Sequence, residues 1–169
     1  TIWDLKPPRL KNSHEDNLII GYMGTNSHKP DLEYIAPVLL DLIERFPQKI
    51  SLYFWGTPPP LALRSLSQVQ WIPFDIRSYP EFAAWFQTQS VDIFIAPLVD
   101  NLFNRCKSPL KFFEYSALGA PGVFSRLDPY ESVIQHGYNG FVDVTQSEWA
   151  RRLRSIIEDE DLRFRMATE

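Results

Sequence analysis

The chain has 169 residues and a mass of 19.7 kDa, the length of one domain with a core of its own. Hydrophobic residues make up 44% and charged residues 22%, a mixture too apolar for a disordered chain. Seventeen basic against 21 acidic residues leave a net charge of −4, against a general nucleic-acid binder, and no apolar run nears the ~20 residues of a membrane-spanning helix. One cysteine, Cys106, excludes an internal disulfide, and His14, His28 and His136 lack zinc-ligand spacing.

Residues 1–17 are polar, interrupted by Pro7 and Pro8, and read as a linker or lead-in to a domain over 18–169. A start at Thr1 without a basic, signal-like segment reads as a cytoplasmic piece of something longer. Leu18 to Met23 is an apolar run ending at Gly24. Asp31 is placed to cap a helix reaching about Phe46, with Leu32, Ile35, Leu39, Ile43 and Phe46 at spacings of three and four and Pro37 inside it. Ile50 to Trp55 and Val69 to Ile72 are further strands. Tyr79 to Gln89 reads as a helix whose Phe82, Trp85 and Phe86 are core rather than a stacking platform. Val91 to Ala96 is a fourth strand, and Ser108 to Leu118 a helix. Gly122 to Ser125 and Gly140 to Val144 are strands on either side of a short helix near Tyr130 to Gln135. Ser147 to Glu158 and Asp161 to Met166 are terminal helices. Their arginines mostly mark a solvated face, with an anionic membrane contact as the weaker alternative.

Six short strands, mostly without polar alternation and separated by helices, predict an α/β fold with a doubly wound, parallel, Rossmann-like sheet. In the order 3-2-1-4-5-6 the winding reverses between the first and fourth strands, and a ligand belongs beyond their carboxyl ends. The loops there are 24–30 and 97–107.

The first loop, Gly24-Thr25-Asn26-Ser27-His28-Lys29-Pro30, offers a glycine for close approach or positive φ, small donors and a lysine for a phosphate. The competing reading is a polar turn into a helix. The second loop leads to Lys107-Ser108-Pro109-Leu110-Lys111, where a hydroxyl cap is followed by proline at the first helical position. Lysines at a helix N-terminus oppose the dipole, and a bound polyanion offsets that conflict. Otherwise both lysines extend into solvent. Glu114, three residues beyond Lys111, suits a vicinal diol such as ribose, or forms a surface ion pair with Lys111. Cys106 lacks a histidine in any evident relation to it and reads as an ordinary thiol.

In Asp92 to Leu98, Lys107 to Pro121, Pro129-Tyr130 and Gly137 to Gly140, the chain resembles the carboxyl-terminal, donor-binding domain of retaining GT-B-fold glycosyltransferases of group 1 (family 4). The similarity covers Leu18 to Glu169. The resemblance implies one half of a GT-B fold that binds a nucleotide-diphosphate sugar, with no metal or other cofactor. It places Gly24, Thr25 and Lys29 toward phosphate, Phe74 near the base, Asn104 near the sugar, Lys107, Ser108, Pro109, Leu110 and Lys111 around the diphosphate and sugar, and Glu114 on the ribose, with Lys111 and Glu114 as the catalytic pair. It also implies an amino-terminal acceptor domain beyond this chain and a glycan or lipid acceptor, with the full enzyme cytoplasmic or peripheral to the inner membrane. The motif's first glutamate falls at Cys106 and is absent, which leaves a non-catalytic nucleotide-binding or interaction module as the alternative.

Overall fold

The computed structural model describes residues 2–8, 17–75 and 78–169. The lead-in stretch Lys11 to Asp16 therefore lies outside the described residues, as does His14.

Six parallel strands form one sheet in the order β3-β2-β1-β4-β5-β6. They are β1 (Leu18–Gly24), β2 (Ile50–Gly56), β3 (Val69–Ile72), β4 (Ile93–Ala96), β5 (Gly122–Ser125) and β6 (Phe141–Asp143). The doubly wound sheet expected from the sequence is thus present, with its reversal between β1 and β4. The β1 and β2 strands pair along their whole length, from Leu18↔Ile50 to Gly24↔Gly56. In contrast, β1 meets β4 only at Ile20↔Ile93 and Gly21↔Phe94, so the chain ends above this pair are free to diverge.

Helices cover both faces, which is why the strands are apolar on both sides. One face is closed by α1 (Lys29–Arg45), α5 (Gln146–Glu158) and α6 (Glu160–Thr168). Leu39 and Leu42 of α1 and Trp149, Leu153 and Ile156 of α5 pack there with Leu18, Ile20, Leu52 and Ile93. The other face carries α2 (Tyr79–Phe86) and α4 (Leu110–Ala117) over an aromatic core. In that core the Tyr115 and Phe94 rings stack at 3.7 Å between centroids. A single turn, α3 (Leu102–Arg105), interrupts the loop after β4 and has no apolar periodicity by which to anticipate it.

Several boundaries differ from the sequence expectation for local reasons. Asp31 does not cap α1. The helix opens at Lys29, with Pro30 in its first turn, and the Asp31 carboxylate is drawn inward to other partners. Ser108 does not cap α4 either. Pro109 occupies the cap position, and the helical ladder begins with Phe112 N–H donating to Pro109 O at 2.9 Å. Arg163 departs from the solvated face expected for the terminal arginines: it is buried, and its guanidinium donates to Ile156 O at 2.8 Å. Gly24 has no positive φ; its missing side chain matters because a Cβ would stand 2.4 Å from the Tyr22 hydroxyl.

Gly56, at the end of β2, does require the left-handed region, with φ at 81° and a Cβ position only 2.4 Å from Gly24 O. Gly56→Ala is expected to destabilise the fold by about 1–2 kcal/mol from the backbone term alone, read as a lower urea midpoint at unchanged slope.

Candidate functional site

Above the carboxyl ends of β1 and β4 lies a cleft of about 470 Å³. Its walls come from the loop after β1 (Gly24, Thr25, His28), the start of α4 with the residue pair before it (Lys107, Ser108, Leu110, Lys111, Glu114), and an aromatic side (Phe74, Tyr79, Phe82). It occupies the switch point that the strand order dictates.

The start of α4 is open. No side chain caps it, and among the described residues the backbone N–H groups of Ser108, Leu110 and Lys111 have no acceptor. These unpaired amides and the helix dipole give a partial positive charge at the cleft. Lys111 does not extend into solvent. It is half-buried, its ammonium donating to Met23 O at 2.8 Å and lying 5.5 Å from the centre of the Tyr22 ring. Burial pushes its pKa down to about 8, with Lys107 adding to the fall and Glu114 opposing it. Burial likewise lowers Lys107, whose ammonium lies 3.9 Å from Asp31 and 4.7 Å from the centre of the Phe103 ring. Two desolvated cations beside open amides make an electropositive seat with no negative charge inside the first turn of α4.

Asp31 organises this seat from below. It is 2% exposed. Its Oδ1 accepts from Val99 N–H and from Asn104 Nδ2, both at 2.8 Å, and its Oδ2 lies 2.9 Å from His28 Nδ1. Burial lowers the pKa of His28, and Lys111 and Lys107 lower it further, against the hydrogen bond to Asp31. Its Nδ1 faces the Asp31 carboxylate and lies 3.2 Å from the Lys107 ammonium, which stands 3.5 Å from Nε2.

Glu114 lies within the cleft, 3% exposed. Burial raises its carboxyl pKa, while Lys111 and the Tyr79 hydrogen bond pull it back. It forms no surface ion pair with Lys111: Lys111 turns to Met23 O, and Glu114 Oε1 accepts from the Tyr79 hydroxyl at 3.1 Å. On the far side Phe74 packs on Trp85 at 4.9 Å and on Phe82 at 5.7 Å between centroids.

No family model matches the chain, and no curated protein sequence does. Solved structures do. The carboxyl-terminal domain of a glycosyl transferase group 1 family protein (LpcC) from Francisella tularensis matches at 19% identity and a TM-score of 0.63, over 89% of this chain and 80% of that domain. Alr3699/HepE from Anabaena, solved with UDP-glucose, matches at 18% identity and 0.65, over 90% of this chain and 42% of that one. WaaG, a glycosyltransferase involved in lipopolysaccharide biosynthesis, matches at 18% and 0.66, over 97% and 49%. The fold is that of a group 1 GT-B carboxyl-terminal domain. This chain spans less than half the length of HepE and WaaG.

The structure gathers Gly24, Thr25, Phe74, Lys107, Ser108, Leu110, Lys111 and Glu114 around one cleft. Three other expected residues are outside its wall. Lys29 is exposed in the first turn of α1, Pro109 contributes only backbone to the helix start, and Asn104 is buried beneath the seat, bonded to Asp31 and Val99 O. Cys106 is exposed and does not line the cleft. Sequence reasoning passed over His28 and Tyr79. The i, i+3 spacing of His28 and Asp31 is a local signal for the first. The second meets a residue 35 positions away, which no local pattern records.

Two measurements test this electrostatic account. Asp31→Ala strands His28, Asn104 and the Val99 N–H together and is expected to lower stability by on the order of 3 kcal/mol in urea denaturation. Because burial holds Lys111 near 8 against an ordinary 10.5, the folded chain binds fewer protons than the unfolded one between those values. The stability of wild type relative to Lys111→Met therefore rises from pH 7 to 10. The buried tyrosines Tyr22, Tyr115 and Tyr130, raised by burial, oppose it in absolute stability above about pH 10 but cancel in the difference.

Proposed function

We propose that the chain is the nucleotide-sugar-binding domain of a glycosyltransferase that moves a sugar from a nucleotide-diphosphate donor to a glycan or lipid acceptor, with retention at the anomeric carbon. One observation carries this reading: the uncapped, amide-bearing start of α4 faces the cleft with Lys107 and Lys111 beside it and the Glu114 carboxylate one turn deeper. That order, cationic seat and then buried acceptor, matches a nucleoside diphosphate laid with its phosphates on the helix start and its ribose diol on Glu114. The aromatic side around Phe74 is left for the base. HepE, solved with UDP-glucose, supports a ligand of this class.

In the transfer step, negative charge grows on the leaving diphosphate. The α4 amides and the two lysines are already oriented toward it, so they stabilise that charge without reorganising. Lys111 and Glu114 form the catalytic pair in this reading: the lysine stabilises the leaving group, and the carboxylate holds the nucleoside in register. The acceptor and the groups that complete the reaction belong to an amino-terminal domain beyond this chain. The 169 residues alone bind nucleotide weakly and turn over no acceptor. Cys106, where the family's first motif glutamate falls, favours a second reading, a binding module without catalysis.

A thermal-shift panel of UDP, GDP and ADP, with their sugars, tests the proposal. At least one nucleoside diphosphate raises the midpoint, and Lys111→Ala and Glu114→Ala each remove most of that rise. A panel without any shift, or shifts that persist in both variants, rules the donor site out. The second reading predicts binding without transfer when the acceptor domain is restored.

A further inference from the structure

The mechanism leaves unexplained why Tyr79, 39% exposed at the rim of the cleft, spends its hydroxyl on Glu114. Residues 2–8 supply the context. Trp3 Nε1 donates to the Tyr79 hydroxyl at 3.1 Å, and the Trp3 ring meets Tyr79, Phe82 and Phe86 edge-on at 6.3 to 6.4 Å. The same segment is fastened to the carboxyl ends of both helices. Asp4 N–H donates to Gln87 Oε1 at 2.8 Å, Gln87 Nε2 donates to Ile2 O at 3.2 Å, and the Lys6 ammonium bonds the Gln87 carbonyl. Lys6 N–H donates to Ala117 O at 2.9 Å. Residues 2–8 thus fasten α2, which carries Tyr79, to α4, which carries Glu114.

The direction of the chain of hydrogen bonds follows from donor chemistry. An indole nitrogen only donates, so Tyr79 accepts from Trp3 and its single proton is committed to Glu114 Oε1. Among the described residues, Glu114 Oε2 has no hydrogen-bond partner. One oxygen of the carboxylate is therefore fixed by the protein and the other is left for a ligand.

We propose that Tyr79 is a positioning residue for Glu114, and that Trp3, in the segment preceding the sheet, holds Tyr79 in that role. The proposal rests on the reading of Glu114 as the ribose-binding group. It makes the sequence before β1 part of the nucleotide site: the chain that enters the domain sets the orientation of the carboxylate inside it.

The test uses the 169-residue chain with Tyr79→Phe, Trp3→Phe and Glu114→Gln, titrated calorimetrically with UDP, GDP and ADP and then with the 2′-deoxy form of whichever binds. Tyr79→Phe is expected to weaken the ribonucleotide about tenfold and the deoxynucleotide much less, so that the ratio of the two affinities collapses toward that of Glu114→Gln. Trp3→Phe keeps the ring packing and loses the donor, and shifts the ratio the same way by a smaller factor. The ratio is taken within one preparation, so it does not depend on the fraction of a variant that folds. A carboxyl carbon-13 titration gives a second readout: loss of the Tyr79 hydrogen bond raises the Glu114 pKa. If Glu114→Gln impairs ribonucleotide binding while Tyr79→Phe leaves both the ratio and that titration unchanged, the positioning role is overturned and the donor site stands. If wild type binds no nucleoside diphosphate, or Glu114→Gln binds as wild type does, the donor reading falls and takes the positioning role with it.

Discussion

The site depends on the buried carboxylate of Asp31. The β1–β4 pairing is only two residue pairs long, so the loops beyond it share no backbone ladder. Asp31 replaces that ladder. Its two oxygens join the first turn of α1, the Val99 amide, the Asn104 side chain of α3 and the His28 ring, with Lys107 at 3.9 Å. A buried carboxylate is tolerated only when its lone pairs are filled, and here the partners that fill them are the parts of the loops that must be rigid. A site built on loops gains its precision from such support.

Above that support the two cations are used differently. Lys107 is balanced by Asp31 and shaded by Phe103. Lys111 has been drawn down to Met23 O, against the dipole of its own helix and partly out of water. The Lys111 arrangement is unfavourable for an empty site, and the proposed diphosphate would offset it. In the proposed donor site, the desolvation that lowers Lys111 is offset by the charge of the bound diphosphate. Glu114 is the reciprocal case, an acid whose pKa burial raises while Lys111 and the Tyr79 hydrogen bond oppose the rise. The cationic and anionic ends of the cleft lie one turn apart on a single helix, so their separation is set by helix geometry.

Residues 2–8 also contact the two helices that carry Tyr79 and Glu114. Trp3 bonds Tyr79 at the start of α2, Lys6 ties the far ends of α2 and α4 together, and Gly119 turns with a φ of 71° where a Cβ would strike the Lys6 and Pro7 carbonyls at 2.7 Å. The polypeptide that enters the domain therefore packs where the two site-bearing helices end.

Much of this was legible in the residues alone. Apolar runs without alternation determined parallel strands covered on both faces, and their spacing determined the helices between them, because burial on two sides leaves no room for polar positions. The Lys107-Ser108-Pro109-Leu110-Lys111 stretch predicts an anion seat through a conflict of charge with dipole, and Lys107, Ser108, Leu110 and Lys111 do share one cleft with Gly24, Thr25, Phe74 and Glu114. What the sequence could not decide were the interactions that span distance along the chain. Asp31 looks locally like a helix cap, yet its partners lie 68 and 73 residues away. Ser108 looks like a cap, yet the turn after α3 delivers the chain so that Pro109 stands in its place. Lys111 and Glu114 look like an i, i+3 ion pair, yet β1 and α2 present better partners to each. Local propensity ranks what a residue can do with its neighbours in sequence. Only the packed structure brings the competing donors and acceptors within reach, and for buried charge that competition decides the outcome.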